Sequence, residues 1–276
     1  MMKKVCVLLL VAVISICAAP KQITWIAIGD SITYINDNLT ETNNHLTKGY
    51  MTQVVEKLKN IHYVNKGYNG WTAGRIAEQI NKLDLEKADV YTVFLGTNDW
   101  WSGHAIGSLT DYKSNTGTAT VYGSFRIIID KLRSLNPAAK IVLLTPMQRS
   151  DFVYFKNFKN NAFGSYQPKN NQTLEAIANA IINIGKQENI EVADLYHNRK
   201  LSLKHMVKFK RLKDAATGQY KNYSYPEYIG VPFNPETDEY PYPAESMDLT
   251  YDGLHPGDKA CSIIAKQLIK CLKNYK

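Results

Sequence analysis

The chain has few cysteines. Only four occur in 276 residues, and two of them, Cys6 and Cys17, lie near the N-terminus. The other two, Cys261 and Cys271, fall on one predicted C-terminal helix, where ten residues separate them by about 15 Å along the axis. That separation is beyond the reach of a disulfide. A disulfide-stabilised scaffold is therefore excluded, and we expect Cys261 and Cys271 to be buried thiols.

Several motifs that define common classes of protein are also absent. The chain contains no phosphate-binding loop, no dinucleotide-binding G-x-G-x-x-G, no zinc-binding H-E-x-x-H and no G-x-S-x-G nucleophile elbow. The formal net charge of +8 comes from scattered basic residues, and no nucleic-acid-binding module accompanies it. We therefore expect no metal, no cofactor and no nucleic-acid partner.

Residues 1–19 have the pattern of a secretory signal peptide. Two lysines precede an apolar run at 5–16, which is shorter than the roughly 20 residues that span a bilayer, and small residues suitable for cleavage follow. A lipoprotein signal with Cys17 as the lipidated residue is the alternative, although Ile16 stands where such signals carry a small residue. No later apolar run is long enough for a membrane helix. We expect residues 20–276 to be exported to the periplasm or beyond.

Beyond residue 20, short apolar segments alternate five times with amphipathic ones. The predicted strands are 23–28, 61–65, 88–95, 140–145 and 190–195, and the predicted helices are 49–59, 72–82, 121–135, 171–188 and 259–272. This alternation predicts one α/β domain with a parallel sheet and helices on both faces. Two irregular segments rich in aromatic residues, 151–167 and 200–251, interrupt the pattern, and a loop as long as the second is usually functional.

Polar residues follow the predicted strands. Ser31 comes just after the first strand, Gly70 lies in a loop after the second, and Asn98 follows the third. The carboxyl ends of parallel strands lie at one edge of a sheet, where such folds bind ligands, so these residues should converge. His255 could act as the base that activates Ser31, oriented by the Asp252 carboxylate. The amides of Ser31 and Gly70 and the Asn98 side chain could stabilise an oxyanion. Ordinary turn chemistry remains the alternative for each motif.

Four blocks in order resemble those of the SGNH (GDSL-like) hydrolases. They are Gly29-Asp30-Ser31-Ile32, the glycine block 65–70, Gly96-Thr97-Asn98-Asp99 and Asp252-x-x-His255. The resemblance implies a three-layer, flavodoxin-like α/β/α sandwich with a five-stranded parallel sheet. It also implies that Ser31 is the nucleophile, His255 the base and Asp252 its partner. The implied oxyanion donors are the Ser31 amide, Gly70 and Asn98.

Tryptophans stand close to two of these blocks. Trp71 follows Gly70, and Trp100 and Trp101 follow the asparagine block, so that each is either a core residue or a substrate contact. An aromatic rim suits sugar rings, and we predict an exported serine esterase that acts on small esters, first of all O-acetyl groups of carbohydrates. The alternatives are a lipase or thioesterase of the same family and an inactive glycan-binding protein. The sequence leaves the oligomeric state open.

Overall fold

A five-stranded sheet forms the centre of the protein, seen here in a computed structural model that describes residues 21–159 and 161–274. The strands are β1 (Ile23–Gly29), β2 (Ile61–Gly67), β3 (Val90–Phe94), β4 (Lys140–Leu144), β5 (Phe152–Val153), β6 (Asn161–Ala162), β7 (Glu191–Ala193), β8 (Lys210–Lys213) and β9 (Tyr220–Tyr223). The central sheet has the order β2-β1-β3-β4-β7, and all of its strand pairs are parallel. The predicted parallel sheet is therefore confirmed.

Helices cover both faces of this sheet. They are α1 (Ser31–Tyr34), α2 (Tyr50–Lys57), α3 (Ala73–Gln79), α4 (Thr97–Ser102), α5 (Leu109–Ser114), α6 (Val121–Leu135), α7 (Leu174–Glu188) and α8 (Asp258–Leu272). Helices α3, α6 and α7 contribute to the core on one face, while α2 and α8 contribute to the core on the other. The three-layer α/β/α arrangement is therefore confirmed as well.

Strand β1 shows why the sheet is buried on both sides. Successive side chains of a strand point to opposite faces, and here both sets are apolar. Trp25 and Ala27 pack in the core with α2 and α8, whereas Ile26 and Ile28 pack in the core with α3, α6 and α7. Burying each large side chain contributes roughly 1.5–3 kcal/mol. The centre of the sheet is thereby a rigid support for the loops that follow its strands.

The two segments that interrupt the alternation contain short structure that the sequence did not predict. Strands β5 and β6 form an antiparallel pair within 151–167, and β8 and β9 form a hairpin within 200–251. The short helices α1, α4 and α5 were not predicted either, since four to six residues are too few to show a helical period. Both segments, called here the insertions 151–167 and 200–251, therefore contain defined secondary structure.

Two further expectations concern cysteines and the N-terminus. Cys261 and Cys271 both lie in α8 and are buried and free, as expected. Within residues 21–159 and 161–274, no helix is both long and apolar enough to cross a membrane. The predicted signal peptide, including Cys17, lies outside the described residues.

Candidate active site

Ser31 lies where the sheet order reverses. Strand β1 has β2 on one side and β3 on the other, so the connections after β1 and β3 diverge and leave a crevice at the carboxyl edge. Asp30 caps the short helix α1 by accepting a hydrogen bond from the amide of Ile32 at 3.0 Å. Ser31 is the first residue of that helix. The cap and the buried strand together fix its position over the crevice.

Asp252 and His255 come from the loop that precedes α8. The Asp252 carboxylate is fully buried and accepts hydrogen bonds from the His255 amide at 2.8 Å and from His255 Nδ1 at 2.7 Å. His255 Nε2 lies 3.0 Å from Ser31 Oγ. Because an ionised carboxylate can only accept, Nδ1 carries the proton and Nε2 presents its lone pair to the serine hydroxyl. The array can therefore take a proton from Ser31.

Gly253 allows the loop that carries Asp252 and His255 to approach the insertion 151–167 closely. Gly253 has a φ of +90°, and a Cβ at this position would lie 1.9 Å from the carbonyl oxygen of Asp151. The Gly253 carbonyl accepts a hydrogen bond from Ser150 at 2.9 Å, and the Asp252 carbonyl accepts one from Val153 at 3.4 Å. The backbone around β5 therefore holds the loop that carries Asp252 and His255.

Three residues with available hydrogen-bond donors line the same cavity. Ser31, Gly70, Asn98 and His255 all line one cavity of about 220 Å³, called here the active-site cavity. Asn98 Nδ2 donates one hydrogen to the carbonyl of Trp71 at 3.0 Å, which orients the amide and leaves its second hydrogen available. Among the described residues, the amides of Ser31 and Gly70 have no acceptor. These groups can stabilise a negative oxygen.

The Asp99 carboxylate joins the segment that follows Gly70 to the helix that carries Asn98. The buried Asp99 carboxylate accepts hydrogen bonds from the Ala73 amide at 2.9 and 3.0 Å and from His104 Nδ1 at 2.9 Å. His104 Nε2 lies 2.9 Å from the carbonyl of Thr118. Both ring nitrogens thus face acceptors, and the hydrogen bond with Asp99 is the main cause of a raised His104 pKa, which burial opposes. A charged His104 satisfies both contacts.

Aromatic side chains form the walls of the active-site cavity. Trp101 meets Phe152 edge-on at 5.2 Å between ring centroids, and Phe152 meets the His255 ring edge-on at 5.5 Å. Tyr251 stacks on that imidazole at 5.9 Å between ring centroids. Tyr154 also lines the cavity. These rings fix the plane of the His255 imidazole and make the cavity narrow.

The three tryptophans considered as substrate contacts lie in three different environments. Trp101 lines the active-site cavity. Trp100 is 1% exposed in the core, so it is not a substrate contact in this structure. The Trp71 ring stacks on Tyr68 at 4.4 Å under the Arg75 guanidinium, and it is not among the cavity-lining side chains. Neighbouring residues on a helix point about 100° apart, which separates the side chains of Trp100 and Trp101.

Arg149 is a buried cation behind this aromatic wall. Its Cζ atom lies 5.4, 4.8 and 5.6 Å from the ring centroids of Trp100, Trp101 and Phe152. None of its guanidinium nitrogens has a hydrogen-bond partner within the part of the chain that the structure describes. Burial lowers the Arg149 pKa to about 10, with the charge of Asp252 as the main opposing cause. It is therefore still charged at neutral pH.

The sequence did not predict which residues of the two insertions line the active-site cavity, nor that two further polar residues do so. Phe152, Tyr154 and Tyr251 come from the segments that were predicted only as irregular and aromatic. Glu41, which belongs to no recognisable pattern, and Asn69, which precedes Gly70 in the glycine block, also line the cavity. The concentration of aromatic residues was the one available signal. No group of three or more potential metal ligands occurs within residues 21–159 and 161–274.

Ser31, His255 and Asp252 meet at the reversal point of a parallel sheet, an arrangement of the kind that serine hydrolases use. The GDSL-like lipase/acylhydrolase family model matches residues 27–260, and the chain belongs to this family. Its members include lipases and acylhydrolases, which act on ester substrates. The predicted family is thereby confirmed.

Solved structures agree with this assignment. A protein from Chitinophaga pinensis described as a possible lipase is 60% identical, with a TM-score of 0.90 over 91% of this chain and 98% of that one. A protein from Lactobacillus plantarum is 17% identical, with a TM-score of 0.61 over 93% and 99%. A carbohydrate esterase family 3 protein from Talaromyces cellulolyticus is 18% identical, with a TM-score of 0.51 over 92% and 100%. The last two show the fold alone. No curated protein matches the chain.

Proposed function

We propose that this protein is an exported serine esterase that cleaves short acyl esters, with O-acetyl groups on carbohydrate as the preferred substrate. The observation that carries the proposal is the continuous path from Ser31 Oγ to His255 Nε2 at 3.0 Å and from His255 Nδ1 to Asp252 at 2.7 Å. A serine hydroxyl is a weak nucleophile until a base removes its proton, and this path supplies both the base and the group that orients it.

In the acylation step, Ser31 Oγ attacks the ester carbonyl carbon while His255 Nε2 takes the hydroxyl proton. The carbonyl oxygen becomes an oxyanion, and the amides of Ser31 and Gly70 with Asn98 Nδ2 donate hydrogen bonds to it. The buried Asp252 carboxylate stabilises the imidazolium that forms. His255 then returns the proton to the leaving alkoxide, which departs as an alcohol and leaves the acyl group on Ser31.

In the deacylation step, water takes the place of the alcohol. His255 Nε2 removes a proton from the water, whose oxygen attacks the acyl carbon in the same oxyanion hole. The collapse of this second intermediate returns the proton to Ser31 Oγ and releases the carboxylic acid. Ser31, His255, Asp252, the oxyanion donors and one water molecule supply every group that the two steps use.

The size and lining of the active-site cavity support a short acyl group. Its volume of about 220 Å³ is below the range of about 300–1,000 Å³ that is usual for small-molecule sites. The walls formed by Trp101, Phe152 and Leu254 are apolar, whereas Glu41 and Asn69 provide polar groups on the same cavity. An acetyl group suits the apolar part, and sugar hydroxyls suit the carboxylate and amide.

The first experiment compares the mature protein with Ser31→Ala on 4-nitrophenyl acetate and on acetylated xylan. We expect Ser31→Ala to lose at least about 10⁴-fold in kcat, as in other serine hydrolases. Ser134→Ala, an exposed serine at the end of α6, is the matched control and should retain full activity. Equal acetate release by the parent and by Ser31→Ala would refute the proposed nucleophile. Binding of xylan without any hydrolysis by the parent would favour the inactive glycan-binding alternative.

The second candidate function is that of a lipase, and the related Chitinophaga pinensis protein described as a possible lipase favours it. A series of 4-nitrophenyl esters from acetate to decanoate separates the two candidates. The small cavity predicts that kcat/KM falls steadily beyond butyrate. A rise towards decanoate would support the lipase and exclude a preference for acetate.

Export is proposed from residues 1–19 alone. Mass spectrometry of the protein from fractionated cells tests it, since a cleaved signal peptide leaves a chain that begins at Pro20. A lipidated chain would instead begin at a modified Cys17. Recovery of the full-length chain from the cytosolic fraction would contradict both.

A further inference from the structure

A second cavity lies between the two insertions. Its volume is about 290 Å³, which is larger than that of the active-site cavity. Every residue that lines it belongs to the segments 151–167 or 210–242. The five central strands contribute nothing to it. This space, called here the accessory cavity, is therefore a property of the insertions and not of the sheet that carries the serine.

The two cavities share one wall, the extended segment 151–154. Side chains of an extended segment alternate between its two faces. Asp151 and Val153 line the accessory cavity, whereas Phe152 and Tyr154 line the active-site cavity. The same segment bonds to the loop that carries Asp252. A ligand in the accessory cavity would thus lie one extended segment away from the site of ester cleavage.

A buried ion pair forms the polar end of the accessory cavity. The Lys210 ammonium is 2% exposed and pairs with Asp151. The other carboxylate oxygen of Asp151 accepts hydrogen bonds from the Gly164 amide at 2.8 Å and from the Tyr166 hydroxyl. The acceptor sites of Asp151 are therefore engaged within the protein. The pair contributes no net charge, so it favours neither a cationic nor an anionic ligand.

Lys210 has a hydrogen-bond donor to spare. Its ammonium carries three hydrogens, of which one is directed to Asp151 and another is near the Tyr228 ring, whose centroid is 4.1 Å from Nζ. No other acceptor for this ammonium occurs among the described residues. The Gln167 side-chain amide, which also lines the cavity, has no partner there either. The cavity thus offers one donor of an ion-paired ammonium and one unengaged side-chain amide.

Most of the remaining lining of the accessory cavity is apolar or aromatic. Leu212, Val231 and Phe233 line it, and Phe163, which is 50% exposed, stands at its edge. A pyranose ring combines an apolar C–H face with hydroxyl groups around its edge, and aromatic side chains with a few polar groups complement both. A lipid chain would leave the remaining hydrogen of the buried Lys210 ammonium without an acceptor, which is unfavourable.

We propose that the accessory cavity binds a neutral sugar unit of the glycan substrate and anchors it beside the active-site cavity. This proposal rests on the carbohydrate class proposed above. Its ligand is a neutral saccharide, recognised by stacking on the aromatic edge and by hydrogen bonds from Lys210 and Gln167. Binding there needs no ester, so an unacetylated oligosaccharide is also a ligand.

The test uses the full mature chain with Ser31→Ala, which separates binding from hydrolysis. Calorimetric titration with xylohexaose should show binding, and titration with trigalacturonate should show binding at least tenfold weaker. Val231→Trp, added to this background, fills the cavity from its side and should weaken xylohexaose binding at least tenfold. Ile229→Trp is the matched control, since Ile229 is exposed two positions away and does not line the cavity. It should bind as the parent does.

Three results would overturn the accessory site. They are no binding of xylohexaose, equal binding by Val231→Trp, and tighter binding of trigalacturonate. If Val231→Trp lowers the melting temperature sharply, Gln167→Leu replaces it, and at least threefold weaker binding is then expected. If the Ser31→Ala chain does not bind xylohexaose while the parent hydrolyses esters, only the accessory site is refuted. Binding of xylohexaose without ester hydrolysis refutes the esterase and leaves the site standing.

Discussion

Asp30 provides a sharp prediction because it is a buried carboxyl group next to the site. It is 2% exposed, and burial is the main cause that raises its pKa from 3.8 to about 7. The hydrogen bond from the Ile32 amide and the charge of His255 oppose the shift, whereas the charge of Asp99 adds to it. The carboxyl group therefore binds its proton more tightly in the folded chain than in the unfolded one.

The sign of the effect on stability follows from this raised pKa. The contribution of Asp30 is fully present below pH 4 and is lost as the pH rises through about 7. A shift of about 3 pKa units corresponds to about 4 kcal/mol, since each unit is worth 1.36 kcal/mol. Asn at this position stays neutral and can still cap α1. We expect Asp30→Asn to raise the free energy of unfolding at pH 8 by up to about 4 kcal/mol.

Urea unfolding of the parent and of Asp30→Asn at pH 5 and at pH 8 measures this effect. The difference in stability between the two proteins should grow with pH, because all other titrating groups are common to both. Asp130→Asn, which changes an exposed carboxylate on α6, is the matched control and should alter stability by less than about 0.5 kcal/mol at either pH. An Asp30→Asn protein with the same pH dependence as the parent would refute the reasoning.

Three further predictions concern the support of the site. Gly70→Ala should lower the free energy of unfolding in urea by about 1–2 kcal/mol, because φ is +72° although no atom lies within 4 Å of the new methyl group. Gly253→Ala should cost more, because its methyl group would lie 1.9 Å from the carbonyl oxygen of Asp151. Arg149→Met removes a buried charge whose nitrogens have no hydrogen-bond partner, so the melting temperature should stay equal or rise while kcat/KM falls. A melting temperature several degrees lower would contradict this. His104→Gln should destabilise the protein most below pH 6.5 and least above the raised pKa of His104, which thermal unfolding from pH 5 to 9 tests.

The parts of the fold that the sequence predicts are those that depend on local pattern. The apolar runs around Trp25 and Val93 are typical of strands buried on both faces, and their alternation with helices favours a parallel sheet. Once the sheet is parallel, Ser31 and Asn98 must meet at one edge. The spacing of Asp252 and His255 on one loop adds the remaining pair. The placement of Ser31 and Asn98 at one edge therefore follows from local sequence and topology, whereas only the resemblance to the SGNH hydrolases predicted that Asp252 and His255 join them.

The walls of the cavities could not be predicted, because they depend on tertiary packing without a period. Trp100 and Trp101 are identical neighbours, and only the orientation of α4 decides that one is core and the other faces the cavity. The position of Phe152 against His255 depends on a two-residue strand. Arg149 carries no signal at all, since an arginine at a predicted strand-to-loop junction is expected to be exposed.

The insertions also determine how well the catalytic residues can be held. The loop that carries Asp252 bonds to the backbone at Ser150 and Val153, and the Tyr242 hydroxyl donates to the carbonyl of Asp151. Phe152 packs against the imidazole between these contacts. The wall that separates the two cavities is thus the same segment that positions the histidine. A change that loosens this segment should therefore lower kcat as well as raise KM, because it moves the base and the substrate wall together.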